Sequence, residues 1–113
     1  MRRALLSCLL LAACSKGPQA DLPAIGEARS LGAEWALVNA QTAAGNVTPT
    51  YTRTMRKELR QQLQTSAQSL TQPDSRYTRE IQALLAEPDD AQPAILRAHA
   101  TVLKQIEDSL ESA

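Results

Sequence analysis

Phenylalanine is absent from this 113-residue chain, and aromatic rings are confined to one Trp and two Tyr. Any core must therefore be built from Leu, Ile, Val and the abundant Ala, a composition that suits closely packed helices. Cysteine is nearly absent too, with only Cys8 and Cys14, both near the N-terminus, so no disulfide framework can staple the body. His99 is the only histidine, which leaves zinc-type sites short of ligands. Excess charge of either sign is missing: 12 Lys and Arg stand against 12 Asp and Glu. That balance lacks the basic footprint of a nucleic-acid binder, and Tyr51 is the sole aromatic near a basic run, so base stacking is unsupported. There is no Gly-rich phosphate loop, no Gly-x-Ser-x-Gly elbow and no calcium-loop spacing, and we expect no enzymatic activity.

The clearest positive signal is in the first fourteen residues. Met1-Arg2-Arg3 is a short cationic stretch, followed by the ten-residue apolar run Ala4-Leu5-Leu6-Ser7-Cys8-Leu9-Leu10-Leu11-Ala12-Ala13. This patterning reads as an export signal. As a helix the run would reach only about 15 Å, half of a ~30 Å hydrocarbon core, so it is too short for a permanent span. The run ends in Leu11-Ala12-Ala13-Cys14, which resembles the lipobox of bacterial lipoprotein precursors. The resemblance covers the signal alone. It implies cleavage after Ala13, a diacylglycerol thioether on the Cys14 sulfur and fatty acylation of the freed amine, with no other cofactor. Ser15, a residue other than Asp after the cysteine, implies transfer to the outer membrane, facing the periplasm. Two or more acyl chains, at ~0.8 kcal/mol per buried CH₂, would hold a protein at a membrane stably.

After Ala13 the chain has 100 residues with 10 basic and 12 acidic side chains, enough for one small domain. Ser15-Lys16-Gly17-Pro18-Gln19-Ala20 is short and polar, so residues 14–20 are expected to form a lipidated N-terminus and flexible tether, and residues 21–113 a helical domain. Asp21 is placed to cap a first helix with apolar positions Ala24, Ala28, Leu31, Trp35, Val38 and Thr42, spaced four and three, ending at Gly45-Asn46. Gly32 and Ala36 beside them would admit a close helix neighbour. Thr48 as cap and Pro49 in the first turn open a second helix, with Tyr51, Met55, Leu59, Leu63 and Leu70 on one side. The period-two run from Thr48 to Thr54 competes as a strand, but it has no partner strand. Tyr77, Ile81, Leu84 and Leu85 mark a short third helix after the Pro73 break. The last helix starts near Pro93 and presents Ile95, Leu96, His99, Val102, Leu103, Ile106 and Leu110 on one face. These signals predict an all-α fold, an antiparallel up-and-down bundle of four helices, or of three if the second and third fuse.

Within the body, His99 sits on the apolar face of the last helix, and its neighbours one turn away, Ile95 and Leu103, offer no carboxylate. It reads as a hydrogen-bonded core residue. Glu87, Asp89 and Asp90 flank a helix start, where capping explains acids; Glu107, Asp108 and Glu111 lie near a helix C-terminus and require a cationic neighbour or water. Arg53, Arg56, Lys57 and Arg60 fall at i, i+3, i+4 and i+7, four cations on one face of the second helix. That face either docks an acidic partner, glycan or headgroup, or is a solvated surface paired with Glu58 or the acidic last helix. Leu37, off the apolar face of the first helix, is a further contact candidate.

The function these features favour is a lipid-anchored module of the bacterial envelope, non-enzymatic, held at a membrane through Cys14 and meeting an envelope protein through an exposed helix face. An inhibitor or immunity-type lipoprotein, and a carrier of a small apolar ligand between loosely packed helices, are the alternatives.

Overall fold

The computed structural model describes residues 17–113, and every described helix is anchored in a local signal. Gly17, with φ +90°, turns the chain into a single 3-10 turn, Pro18–Asp21, that packs against the first and last helices. Four α-helices follow: α1 Leu22–Ala43, α2 Pro49–Gln68, α3 Arg76–Leu85 and α4 Pro93–Glu111. The expected tether thus gives way to ordered structure at Pro18, three residues before the expected domain start. The signal, Cys14 and the rest of residues 1–16 lie outside the described residues.

Each boundary has a cause. α1 ends where Gly45 adopts φ +73°, a conformation that costs a residue without a Cβ little, and there Gly45 N–H reaches Thr42 O and Asn46 N–H reaches Gln41 O. Thr48 Oγ1 accepts from Tyr51 N–H at 3.1 Å, and Pro49 follows with its φ already helical. The alternating run from Thr48 to Thr54 is helical, as the lack of a partner strand required. Ser75 caps α3 by accepting from Thr78 N–H at 3.1 Å, and the residues from Ser69 to Ser75 keep α2 and α3 apart. The bundle therefore has four members.

Contacts give the order. Thr42 meets Thr52, Asn39 meets Arg56 and Trp35 meets Arg60, so α2 runs antiparallel to α1. Arg29 meets Glu107, Gly32 lies under Ala100 and Asn39 reaches Ala91, so α4 is antiparallel to α1 as well. Successive helices pack on one another and α4 closes the ring on α1, an up-and-down bundle.

The core holds Ile25, Ala28, Leu31, Trp35 and Val38 of α1, Leu59 and Leu63 of α2, Tyr77, Ile81 and Leu84 of α3, and Leu96, Leu103 and Ile106 of α4. Leu84 and Ala100 close over Gly32, as the small residues of that strip foretold. Four details depart from the sequence reading. Ile25, rather than Ala24, is the first fully buried residue of α1. Tyr51 is 47 % exposed while its neighbour Thr52 is buried, because Thr52 Oγ1 meets Thr42 Oγ1 at 2.8 Å and turns that side of α2 inward. Ile95 is 44 % exposed at the edge of the α4 stripe, and Leu70 lies beyond the end of α2.

Asp21 stands at the N-cap of α1, yet its side chain makes no cap bond. It is 1 % exposed, and its carboxylate accepts from Thr71 N–H and Thr71 Oγ1 at 3.0 Å and from the Tyr77 hydroxyl at 2.5 Å. Three donors justify a buried charge. The bond ties the start of α1 to the α2–α3 connection. Burial first, and the Asp21 hydrogen bond second, push the Tyr77 hydroxyl pKa up to about 12. No helix among the described residues is long and apolar enough to cross a membrane.

Candidate cation cleft

Helical spacing places Arg53, Arg56, Lys57 and Arg60 on one face of α2, and the antiparallel packing of α1 and the return of the α3–α4 connection turn that face into a cleft. Those four residues and Asp89 line a space of about 250 Å³. The expected grouping is real, but its members play two different parts.

Arg60 is bound from several sides. Its Nη1 donates to Leu85 O at 2.7 Å and its Nη2 to Glu87 O at 3.0 Å. These carbonyls lie at and just beyond the C-terminus of α3, where backbone acceptors lack intrahelical donors and the helix dipole favours a cation. Nε and Nη2 both donate to Asp89 Oδ1, at 3.2 and 2.8 Å. Arg56 Nε donates to Asn39 Oδ1 at 2.9 Å. Asn39 in turn donates to Asp89 O and Ala91 O, and Trp35 Nε1 donates to Asp89 O at 3.0 Å. The α3–α4 connection is thereby held against α1 through its main chain. Arg53 and Lys57 are exposed and have no acidic partner among the described residues.

This geometry corrects the pairing anticipated from sequence. The acid opposite Arg60 is Asp89, neither Glu58 nor the last helix. Nor do Glu87 and Asp89 cap α4: Gln92 occupies that N-cap, and the first turn of α4 holds no acid. Glu87 instead faces His99. The His99 Nδ1 lies 2.7 Å from Glu80 Oε2 and Nε2 lies 2.8 Å from Glu87 Oε2. A carboxylate oxygen accepts, so this arrangement is fully satisfied when both ring nitrogens donate, as they do in the protonated ring. Burial is the largest single influence and pulls the imidazole pKa down. The hydrogen bonds to Glu87 and Glu80, with the charges of both, outweigh it and leave His99 above its usual 6.5. The two nitrogens point in opposite directions at different carboxylates, an ion-pair staple between α3 and α4, and no cluster suited to a metal occurs among the described residues.

Two of the three acids near the C-terminus of α4 meet a cation, and Glu111 is exposed to water. Buried Glu107 meets Arg29 Nε at 2.8 Å, and exposed Asp108 meets Lys104 Nζ at 2.8 Å. Leu37 is 58 % exposed, off the core face as its position indicated. The residues that sequence reasoning missed are Asn39, Trp35 and Asp89 as supports of the cleft. Their mutual contacts span about fifty positions, and helical periodicity carries no trace of such pairs. Compared with protein-family models, curated proteins and solved structures, the chain matches none.

Proposed function

We propose that the protein is a lipid-anchored module of the bacterial envelope that binds an acidic protein partner through the cation cleft of α2. In this reading acyl chains on Cys14 hold the chain at a membrane without the bundle entering the bilayer, and Arg53, Arg56, Lys57 and Arg60 meet the partner. One observation carries the docking half: four cations line a single cleft against one acid, Asp89. A solvated helix face has no need to concentrate charge this way, since like charges one turn apart destabilise a helix. The anchoring half rests on the Leu11-Ala12-Ala13-Cys14 resemblance.

Each half has its own test. Metabolic fatty-acid labelling should mark the wild-type chain and leave Cys14→Ser unlabelled; an unlabelled wild type refutes the anchor. A photo-crosslinking side chain at Lys57 should capture one envelope protein in living cells, and the adduct should vanish on Arg53→Glu. The same crosslinker at Gln105, exposed on α4, should capture nothing. Equal capture at both positions refutes docking through α2. An adduct formed only with a foreign lytic enzyme would replace the adaptor with the inhibitor reading, which uses the same face.

A further inference from the structure

The cleft already contains a carboxylate, its own. Asp89 Oδ1 sits in the Arg60 fork, yet the Asp89 side chain is 66 % exposed. What fixes residue 89 is its carbonyl oxygen, which accepts from both Trp35 Nε1 and Asn39 Nδ2 at 3.0 Å. The side chain can therefore swing into solvent while the loop stays in place. Its partner behaves in the opposite way. Arg60 is locked from behind by Leu85 O, Glu87 O and the Trp35 ring, and Arg56 by Asn39 Oδ1. Those acceptors are neutral, so they orient the guanidinium groups without cancelling their charge. Two pre-positioned guanidiniums and the exposed Arg53 and Lys57 are left facing one exposed acid.

We infer that Asp89 is an internal stand-in for a carboxylate of the partner, and that docking of an acidic peptide segment displaces Asp89 from the Arg60 fork. The inference rests on the reading of α2 as a docking face and deepens it, by naming the chemistry received and the residue that opposes it. The fork has the planar, paired donors that suit carboxylates. From Arg53 to Arg60 the cations span roughly 10 Å at ~1.5 Å per residue, the reach of three residues of extended peptide at ~3.3 Å each. A lipid headgroup is the poorer occupant. Asn39 and Asp89 lie about 25 Å along α1 from Pro18 at ~1.5 Å per residue, so the cleft is remote from the point where a membrane tether would join the bundle.

Calorimetric titration of the full chain in non-ionic detergent at low salt, with a hexaglutamate peptide as probe, tests the displacement. Asp89→Asn keeps the main-chain acceptor and the fold, and should bind the peptide about twofold to fivefold tighter, the range an exposed ion pair represents. Arg60→Lys, which keeps the charge and loses the fork, should cancel that gain when combined with Asp89→Asn. In wild type, the Arg60 Nε–H resonance should move on peptide addition. Unchanged affinity in Asp89→Asn, with binding still abolished by Arg53→Glu and Lys57→Glu together, overturns the displacement while the docking face survives. Absence of peptide binding in both wild type and Asp89→Asn overturns it as well. Sedimentation with phosphatidylglycerol vesicles, without peptide binding, would transfer the site to a headgroup and also overturn it.

Discussion

The guanidinium carbon of Arg60 stands 4.8 Å from the centroid of the Trp35 ring, so a cation of α2 covers the largest aromatic surface of α1. The same side chain closes the C-terminus of α3, which makes it a structural member of the bundle as well as a wall of the cleft.

Arg60→Ala should therefore destabilise the fold by about 2 kcal/mol, through two main-chain acceptors left without their charged donor and a lost cation–π contact, discounted for the exposure of the site. Arg53→Ala and Lys57→Ala should each stay within about 0.5 kcal/mol of wild type. Urea denaturation separates the two groups. On sequence alone all four cations belong to one exposed set, and equal, small effects would restore that view.

Stability should depend on pH through His99. Its pKa is raised in the folded chain, so its contribution is fully present below the unfolded value of about 6.5 and is lost as pH rises through the higher folded value. Unfolding free energy should thus decline as pH rises above about 6.5. His99→Gln should flatten that decline, and Glu80→Gln should shift it to lower pH. A wild-type profile that rises over this range would contradict the imidazolium staple.

Removing the Asp21 carboxylate should be costly. Asp21→Ala strands the buried Tyr77 hydroxyl and the Thr71 N–H, and should cost about 3 kcal/mol, since each unpaired buried donor costs ~1–3 kcal/mol. Tyr77→Phe alone should cost less. The double variant should be less destabilised than the sum of the two, a coupling that a double-mutant cycle of thermal or urea unfolding measures.

The α4 stripe offers a test of register. Leu103 is completely buried, and Leu103→Ala should cost about 2–5 kcal/mol. Ile95→Ala, at the exposed edge of the same helix, should change stability by no more than about 0.5 kcal/mol. Reversed magnitudes would mean that α4 is rotated about its axis.

What could be read in advance was local. Thr48, Pro49 and Gly45 set helix ends through bonds within a few residues, and the 3.6-residue period of Leu59, Leu63, Leu96, Leu103 and Ile106 marked faces that do meet in the core. The four-cation face was legible for the same reason. What sequence could not supply was the identity of partners brought together by packing. Asp21 and Asp89 each looked like a capping residue, because capping is the local use of an acid, whereas their true donors lie fifty positions away for Asp21 and twenty-nine for Asp89. His99 seemed to lack carboxylates because only its own helix was in view; Glu80 and Glu87 arrive from α3 and the loop beyond it.

Gly26 carries a consequence for motion. A β-carbon there would stand 2.5 Å from Glu107 Oε2, so only a bare backbone lets that carboxylate settle beside Arg29. Sliding α4 by one turn, about 5.4 Å, would set Glu107 against Leu22 or Ser30, whose side chains fill the notch. The long pair α1 and α4 is keyed like a ratchet with a single tooth, and that tooth sets the register in which the two helices lie side by side.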